Sequence, residues 1–543
     1  MQRPSPLLAL AVPVAALLVV LFWALPNQPQ AGNVPMPAAK FASVSFAPYR
    51  AWQSPLRKEF PTAAEVAADL RLVATRARGI RTYSALEGDY DIAALARADH
   101  LKVWLGIWLG PNARQNAAEM ARGAALARAH PHTVTRVIVG NEVLLRRDLP
   151  VSTLIADIEA VKAQVRQPVT YADVWEFWER FPQVAKHVDI VTVHILPYWE
   201  NHPTDLAGAI AHIRAVLAKM HAQFPGKPIA IGETGWPSRG RWRDNAAPSR
   251  VNEAIFIRRF IALARQEHID YNLIEAFDQV WKYHSEGTVG ANWGLWTAGR
   301  RPKFPLSGPV VENPAWPLLA GAACAGGLAL LGFALAGRTP LAPRGQVVLA
   351  ALAFALASAL AFAWHGTVPI VYDRALLVAA IGNLSGQALL ALLLLRRVRA
   401  LLAGDPLAPA RRGREAAESV RALLRLRWRR LGRGWMFDDL GFLFAWTAAL
   451  LQLLLVFDGR YRDFPLPVFA VPLVATLARA ALADWPRGGG GWEEALVGLA
   501  LAGGAVASAV IEGPLNQQAL VWNAAALILA APVLFRLCPR RAR

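Results

Sequence analysis

Two carboxylates stand out by where they sit. Glu233 lies within Ile231-Gly232-Glu233-Thr234-Gly235-Trp236-Pro237-Ser238, just after the apolar run Pro228–Ile231. That run reads as a short buried strand, which Gly235 and Pro237 then break. Glu142 closes a second apolar run, in Val139-Gly140-Asn141-Glu142. A charge at the end of a buried strand is costly unless a partner or a reaction uses it. Two carboxyl groups ~5–5.5 Å apart can open a glycosidic bond, one as nucleophile and the other as acid/base. Trp236 beside Glu233 adds an aromatic face of the kind sugar rings stack on.

Such residues must be held by a rigid frame. Strand-like runs recur at Ala42–Phe46, Ile80–Ser84, Lys102–Trp108, Arg136–Gly140, Pro168–Ala172, Asp189–His194, Pro228–Gly232 and Tyr271–Phe277. Ala-rich amphipathic stretches such as Thr62–Arg78, Asn116–Ala129, Val151–Val165 and Asp205–Gln223 lie between them. This alternation predicts an α/β fold, a (β/α)8 TIM barrel over residues 33–312. A doubly wound open sheet would place a Gly-rich phosphate loop after a strand, and none is present. Barrel sites form at the C-terminal strand ends. Reading only those ends collects Tyr83, Trp108, Asn141, Glu142, Asp173, Trp175, His194, Tyr198, Glu233, Trp236 and Glu275. Trp175 and Trp178 are sugar platforms or barrel-to-helix packing. His194, Arg81 and Tyr83 are site groups or satisfied core residues.

The motifs Val139-Gly140-Asn141-Glu142 and Ile231–Ser238 resemble glycoside hydrolase family 17, the β-1,3-glucanase and glucanosyltransferase family. Ile80-Arg81-Thr82-Tyr83-Ser84, Leu196-Pro197-Tyr198-Trp199, and Ala276-Phe277-Asp278-Gln279 through Trp281-Lys282 and Glu286 to Trp293-Gly294-Leu295 extend the resemblance over roughly residues 40–305. It implies a retaining β-glucan enzyme with Glu142 as proton donor and Glu233 as nucleophile. It further implies that Asn141 meets the sugar 2-hydroxyl and that Tyr198 borders the nucleophile or the sugar at the central subsite. Lys282 and Glu286 match a polar pair in the last loop. Gln279 departs from the acidic residue more common in plant members, which bears on the network around Lys282.

The rest of the chain is different in kind. Of 543 residues 55% are hydrophobic, and those after Asn313-Pro314 run in apolar spans. Seven spans are expected over 313–543: Ala315–Gly337, Gln346–His365, Ala375–Leu395, Leu440–Phe457, Leu466–Trp485, Glu494–Ile511 and Gln518–Phe535. Each approaches the ~20 residues that cross a ~30 Å bilayer core. Leu7–Leu25, within residues 1–32, makes an eighth. It exceeds the ~7–15 residues of a signal core and lacks an A-x-A site, so an uncleaved anchor is expected over a removed signal.

The net charge of +19 is concentrated where it informs topology. The loop 396–434 holds twelve Arg against Asp405, Glu415 and Glu418, a net +9. Arg338, Arg344, Arg487, Arg536, Arg540, Arg541 and Arg543 fall on the same side of the expected topology. The other side carries mixed or acidic residues: Asp373 with Arg374, Asp458 to Asp463, and Glu512. Basic loops are retained in the cytoplasm, so the barrel is expected outside, in the periplasm of a bacterial inner membrane. Charge placed beside spans argues against nucleic acid as a partner. Arg479 is expected to snorkel from its span. Asn383, Ser385 and Gln387 are helix–helix glue or a sugar path.

Cys324 and Cys538 form no Cys/His cluster, so neither a metal nor a cofactor is expected. The expected partners are a β-glucan, the lipid bilayer, and glucan synthesis or export components. The expected function is a membrane-bound glucan transglycosylase or branching enzyme. An endo-1,3-β-glucanase is the alternative, and a non-catalytic glucan-binding or export component is the reading of another class.

Overall fold

The chain forms two compact units, one over residues 29–311 and one built from the N-terminal helix with the residues from 312 onward. The computed structural model describes residues 5–32, 40–427, 435–485 and 488–539. Arg429, Arg430, Arg433, Arg487, Arg540, Arg541 and Arg543 lie outside the described residues, as does residue 33, where the barrel domain is expected to begin.

Eight parallel strands close the first unit into a barrel in sequence order. They are β1 (Val44–Ser45), β2 (Gly79–Arg81), β3 (Lys102–Ile107), β4 (Val134–Asn141), β5 (Val169–Val174), β6 (Ile190–His194), β7 (Ile229–Thr234) and β8 (Asp270–Leu273). Val44 closes the ring by pairing with Ile80 on one side and Leu273 on the other. The fold is therefore α/β, a (β/α)8 barrel followed by a helical region.

Strand side chains alternate between faces, and the two faces have different jobs. Val191 and Val193 join the large apolar cluster with Ile213, Val216, Phe256 and Phe260 from the surrounding helices. Thr192 and His194 point the other way, and there the contacts are polar. Thr192 meets Thr170 at 2.8 Å, Ser43 meets Asn272 at 2.8 Å, and Asn272 donates to Ser45 at 2.7 Å. A buried polar network of this kind survives only when its members satisfy one another.

The expected eighth strand runs too far. It stops at Leu273 because the next amides leave the ladder: Ile274 donates to Thr234, Glu275 to Trp293 and Ala276 to Ser45. The segment after β8 thus becomes part of the barrel mouth.

In the second unit, seven helices among the described residues are long and apolar enough to cross a membrane. They are Pro6–Asn27, Trp316–Leu335, Pro343–Ile370, Arg374–Ala403, Met436–Phe457, Trp492–Glu512 and Gln517–Phe535. The eighth expected span, Leu466–Trp485, is shorter: a 3-10 turn, Leu466–Phe469, leads into the helix Ala470–Ala481. At ~2.0 Å per 3-10 residue and ~1.5 Å per α residue it extends ~26 Å. Asn383 and Gln387 serve that turn. Asn383 donates to the Val468 carbonyl (3.0 Å), and Gln387 donates to Pro467 (3.2 Å) and accepts from the Val471 amide (2.9 Å). Their polarity is spent on an irregular backbone, which leaves no sugar path to assign to them.

Arg479 does not snorkel alone. It meets Asp438 and Asp484, Arg397 forks onto Asp484, Arg411 onto Asp439, and Arg536 reaches Asp438 and Glu494. Four arginines and four carboxylates fasten the ends of several helices together.

Candidate active site

The site is built on the ends of β2, β4, β6 and β7. Arg81 and Tyr83 are two residues apart, so alternation puts both on one face. Arg81, 1% exposed, is the hub. Its NH1 donates to Glu233 Oε1 at 3.0 Å and to the Gly232 carbonyl at 2.7 Å, and its NH2 donates to Asn141 Oδ1 at 2.5 Å. The Tyr83 hydroxyl donates to the same Glu233 Oε1 at 2.8 Å. Burial, then the Glu233 charge, pushes Tyr83 well above the usual phenol range, so it stays a donor at neutral pH.

Glu142 sits at the end of β4 with φ +53°, a left-handed conformation that is uncommon away from glycine. The turn beyond it is held from β5. The Tyr171 hydroxyl accepts from the Leu144 amide (3.0 Å) and donates to Asp173, which also accepts from the Leu145 amide at 3.4 Å. Arg146 closes the turn by donating to the Asn141 carbonyl while its guanidinium stacks 4.2 Å over Trp108. Such strain persists only where the surroundings over-determine the backbone.

His194 joins the two carboxylates. Its Nδ1 lies 2.8 Å from Glu142 Oε1, and its Nε2 lies 3.7 Å from Glu233 Oε1 and 3.2 Å from Arg81 NH1. One oxygen of each glutamate and a His194 nitrogen all fall within 4.8 Å of one another. That triad has the donor set for a cation, but the Arg81 guanidinium already sits against two of its members and would repel one.

The electrostatics of Glu142 run against what a proton-donor role asks. An acid/base glutamate is expected to titrate above its ordinary value. Burial does push Glu142 up, but the His194 hydrogen bond and field, then Arg146 and Arg81, outweigh it and hold the carboxyl below that value.

Around this centre the last loop brings Lys282 and Glu286. Lys282 meets both Glu275 oxygens at 2.9 and 3.0 Å. Burial pushes Glu275 up to about 7 against the pull of Lys282. Glu286 is also raised, first by burial, with Glu142 and Glu233 adding repulsion across the mouth. The departure at Gln279 leaves Lys282 supplied, because Glu275 provides the carboxylate. Gln279 instead donates to the Ala47 and Phe277 carbonyls and accepts from Trp281.

Four residues expected to touch substrate have other work. Trp236 is fully buried, with Nε1 on the Ala247 carbonyl and its ring tilted against Phe256, so it offers no sugar platform. Tyr198 is buried and donates to the Arg241 carbonyl at 2.6 Å. Asp173 is buried beneath the Glu142 turn, where burial pushes it up to about 7 despite the Tyr171 bond. Trp175 packs toward the helix Ala209–Gln223, with Lys219 4.6 Å from its ring and His212 at its edge. Trp178 is core, donating to the Thr192 carbonyl. Half-buried aromatic surface comes from Trp108, Trp175, Trp199 and Trp281.

Close packing fixes the Glu233 loop. A Cβ on Gly232 would meet Thr192 and the His194 ring at 2.7 and 3.0 Å, and one on Gly235 would run into the Ile274 carbonyl. Lys303, almost fully buried, ties Ser238 (2.6 Å) to Asp278 (2.9 Å). Sequence reasoning missed Lys303; it lies far along the chain in a stretch without periodicity.

A closed barrel with paired glutamates on β4 and β7, set in a polar mouth, defines a glycosidase or transglycosylase. Residues 43–294 match the BtgE/BtgC glycoside hydrolase domain. Similar proteins include a glucan 1,3-beta-glucosidase of Candida albicans, 25% identical over 265 residues, covering 44% of this chain and 84% of the relative. A glucan 1,3-beta-glucosidase of Schizosaccharomyces pombe is 28% identical over 261 residues, covering 44% and 79%. Among solved structures, the glycoside hydrolase family 17 beta-1,3-glucanosyltransferase from Rhizomucor miehei is 25% identical, covers 48% of this chain and 95% of its own, and has a TM-score of 0.43.

Proposed function

We propose that the barrel is a retaining β-1,3-glucan transglycosylase held at a membrane. The observation that carries this reading is the approach of the Glu142 and Glu233 oxygens to within 4.8 Å. Retaining enzymes keep their carboxyl groups ~5–5.5 Å apart, whereas inverting ones leave ~6.5–9.5 Å for a water. Glu233 attacks the anomeric carbon as the bond to the leaving oxygen breaks, and Glu142 gives that oxygen its proton. Glu142 then takes a proton from the acceptor hydroxyl as the new glycosidic bond forms and the bond to Glu233 breaks. Arg81 and Tyr83 hold Glu233 Oε1, and Asn141, its Oδ1 engaged by Arg81, is left with its amide donors for the sugar 2-hydroxyl. Trp199 and Trp281 supply stacking faces, and Lys282 and Glu286 supply polar contacts.

The glucan substrate is supported by the glucan 1,3-beta-glucosidases and the glucanosyltransferase to which the chain is similar. Seven apolar helices support a membrane home, and their basic loops favour a cytoplasmic side for 396–434 and a periplasmic barrel at a bacterial inner membrane. Tethering raises the local concentration of an emerging chain, which favours transfer over scavenging hydrolysis. Glucan synthesis or export components are the partners this placement suggests.

The test is incubation of the full-length protein in detergent with laminari-oligosaccharides, followed by proton NMR and linkage determination of the products. Longer or branched products with β configuration are expected. Shorter β products indicate an endo-1,3-β-glucanase, α configuration at the new anomeric centre overturns the retaining mechanism, and no turnover leaves a glucan-binding component.

A further inference from the structure

His194 meets Glu142 at 2.8 Å and lies 3.7 Å from Glu233, yet it has no task in the two steps above. It is fully buried, pairs in register with Glu233 across β6 and β7, and leaves no space for a ligand against its ring. Arg81 NH1 lies 3.2 Å from Nε2, with its shorter contacts on the Gly232 carbonyl and Glu233 Oε1. Nδ1 lies 2.8 Å from Glu142 Oε1, and because a carboxylate oxygen only accepts, the proton of that bond is on Nδ1. The other charged groups facing the ring are Glu233 beyond Nε2 and Asp173 from β5.

We infer that His194 is a positioning residue that donates its Nδ1 proton to Glu142 Oε1 and so holds Glu142 ready as a base. The inference rests on the proposed retaining mechanism and adds a direction to it. When Glu142 must act as acid, its proton is confined to Oε2, because Oε1 is already an acceptor. His194 keeps its own proton throughout, and no bond to it breaks. The arrangement favours the second step, in which Glu142 deprotonates the acceptor, and narrows the pH range in which the first step finds Glu142 protonated. The low titration of Glu142 in the substrate-free site agrees with this geometry.

Two substitutions separate the ring nitrogens. An Asn side chain places its amide near Nδ1, and a Gln side chain places its amide near Nε2. His194→Asn keeps the donor to Glu142 and loses the Arg81 contact, whereas His194→Gln does the reverse. The measurement is kcat/KM of the full-length protein against pH, whose alkaline limb reports the acid in the free enzyme. In His194→Gln the limb is expected to move up by about one pH unit, and in His194→Asn to stay with the wild type. An unmoved limb in His194→Gln, or equal movement in both variants, overturns the inference; a merely structural residue would lower kcat without moving the limb. Labelling with a 2-deoxy-2-fluoro laminaribiosyl fluoride, whose fluoride leaves without an acid, checks the underlying reading separately. Mass spectrometry should find the label on Glu233 in the wild type and both variants. Its absence in the wild type would remove the retaining mechanism and this inference with it, whereas its presence beside an unmoved limb removes the inference alone.

Discussion

The barrel mouth and the basic end of the helical unit use the same residue types to opposite ends. In the helical unit Arg397, Arg411, Arg479 and Arg536 meet Asp438, Asp439, Asp484 and Glu494, one cation for each carboxylate. In the mouth the ion pairs of Glu142, Glu233, Glu275 and Glu286 with Lys or Arg are, among the described residues, those of Arg81 with Glu233 and Lys282 with Glu275, and His194 meets Glu142. Matched charge is a fastener, because each carboxylate has a guanidinium beside it. Unmatched carboxylate is a tool, because a transition state with positive character at the anomeric carbon supplies the missing charge. Burial raises the stakes in both regions, but only the mouth leaves that stake to a substrate.

This contrast can be broken most directly at Glu233. Glu233→Gln is expected to lower kcat on laminari-oligosaccharides about 10⁴-fold or more, with the melting temperature little changed. A variant within tenfold of wild type would remove Glu233 as nucleophile. Glu142→Gln is expected to cost about 10²–10⁴-fold on the same substrates. Formation of the covalent intermediate from a glycosyl fluoride should survive it, as rapid-quench labelling would report.

The fastener is tested by Asp438→Asn, which leaves Arg479 and Arg536 short of a carboxylate. Breaking a buried pair from one side costs about 3–5 kcal/mol, so a lowered melting temperature in detergent with kcat preserved is the expected outcome. Loss of activity at unchanged stability would mean that the two regions are not separate in function. Tyr83→Phe removes one donor to Glu233 Oε1 and is expected to reduce kcat/KM by about 10–100-fold, since hydrogen bonds to charged groups are worth about 1.5–3 kcal/mol.

The smallest expected effect concerns Asp173, raised by burial to about 7. Its ordinary value is near 3.9, so the folded state holds the proton more tightly and the stability it contributes is full below pH ~4. That contribution is lost as pH rises through 7. Asp173→Asn should therefore gain stability relative to wild type between pH 4 and 7, and thermal melts at a series of pH values would show the gap closing or reversing.

Much of the frame was legible because it is written locally. Apolar runs of strand length at regular spacing indicated the barrel, and Gly-Asn-Glu and Gly-Glu-Thr-Gly-Trp-Pro at strand ends indicated the carboxylates. The long apolar spans were equally plain, since twenty residues without charge have few other uses. The aromatic neighbours were misread for one reason. Trp236, Tyr198 and Trp175 lie just past strand ends, where alternation has stopped and the loop path decides which way a ring points. Asp173 was misread because its partner, Tyr171, faces it only once the turn after β4 has formed. The short span at Leu466–Ala481 hides the same way: Pro467 starts a 3-10 turn whose carbonyls are met by Asn383 and Gln387 from another helix.

By itself the sequence determined the two carboxylates, the eight-strand order and the division into a polar barrel and apolar helices. Each depends on neighbours within a few residues, through side-chain alternation, helix periodicity or run length. Only the tertiary structure decided that Arg81 from β2, Asn141 and Glu142 from β4, His194 from β6 and Glu233 from β7 share one hydrogen-bonded centre. Closing the barrel brings together strand ends separated by up to 152 residues, and no local pattern encodes a 3.0 Å contact across that gap.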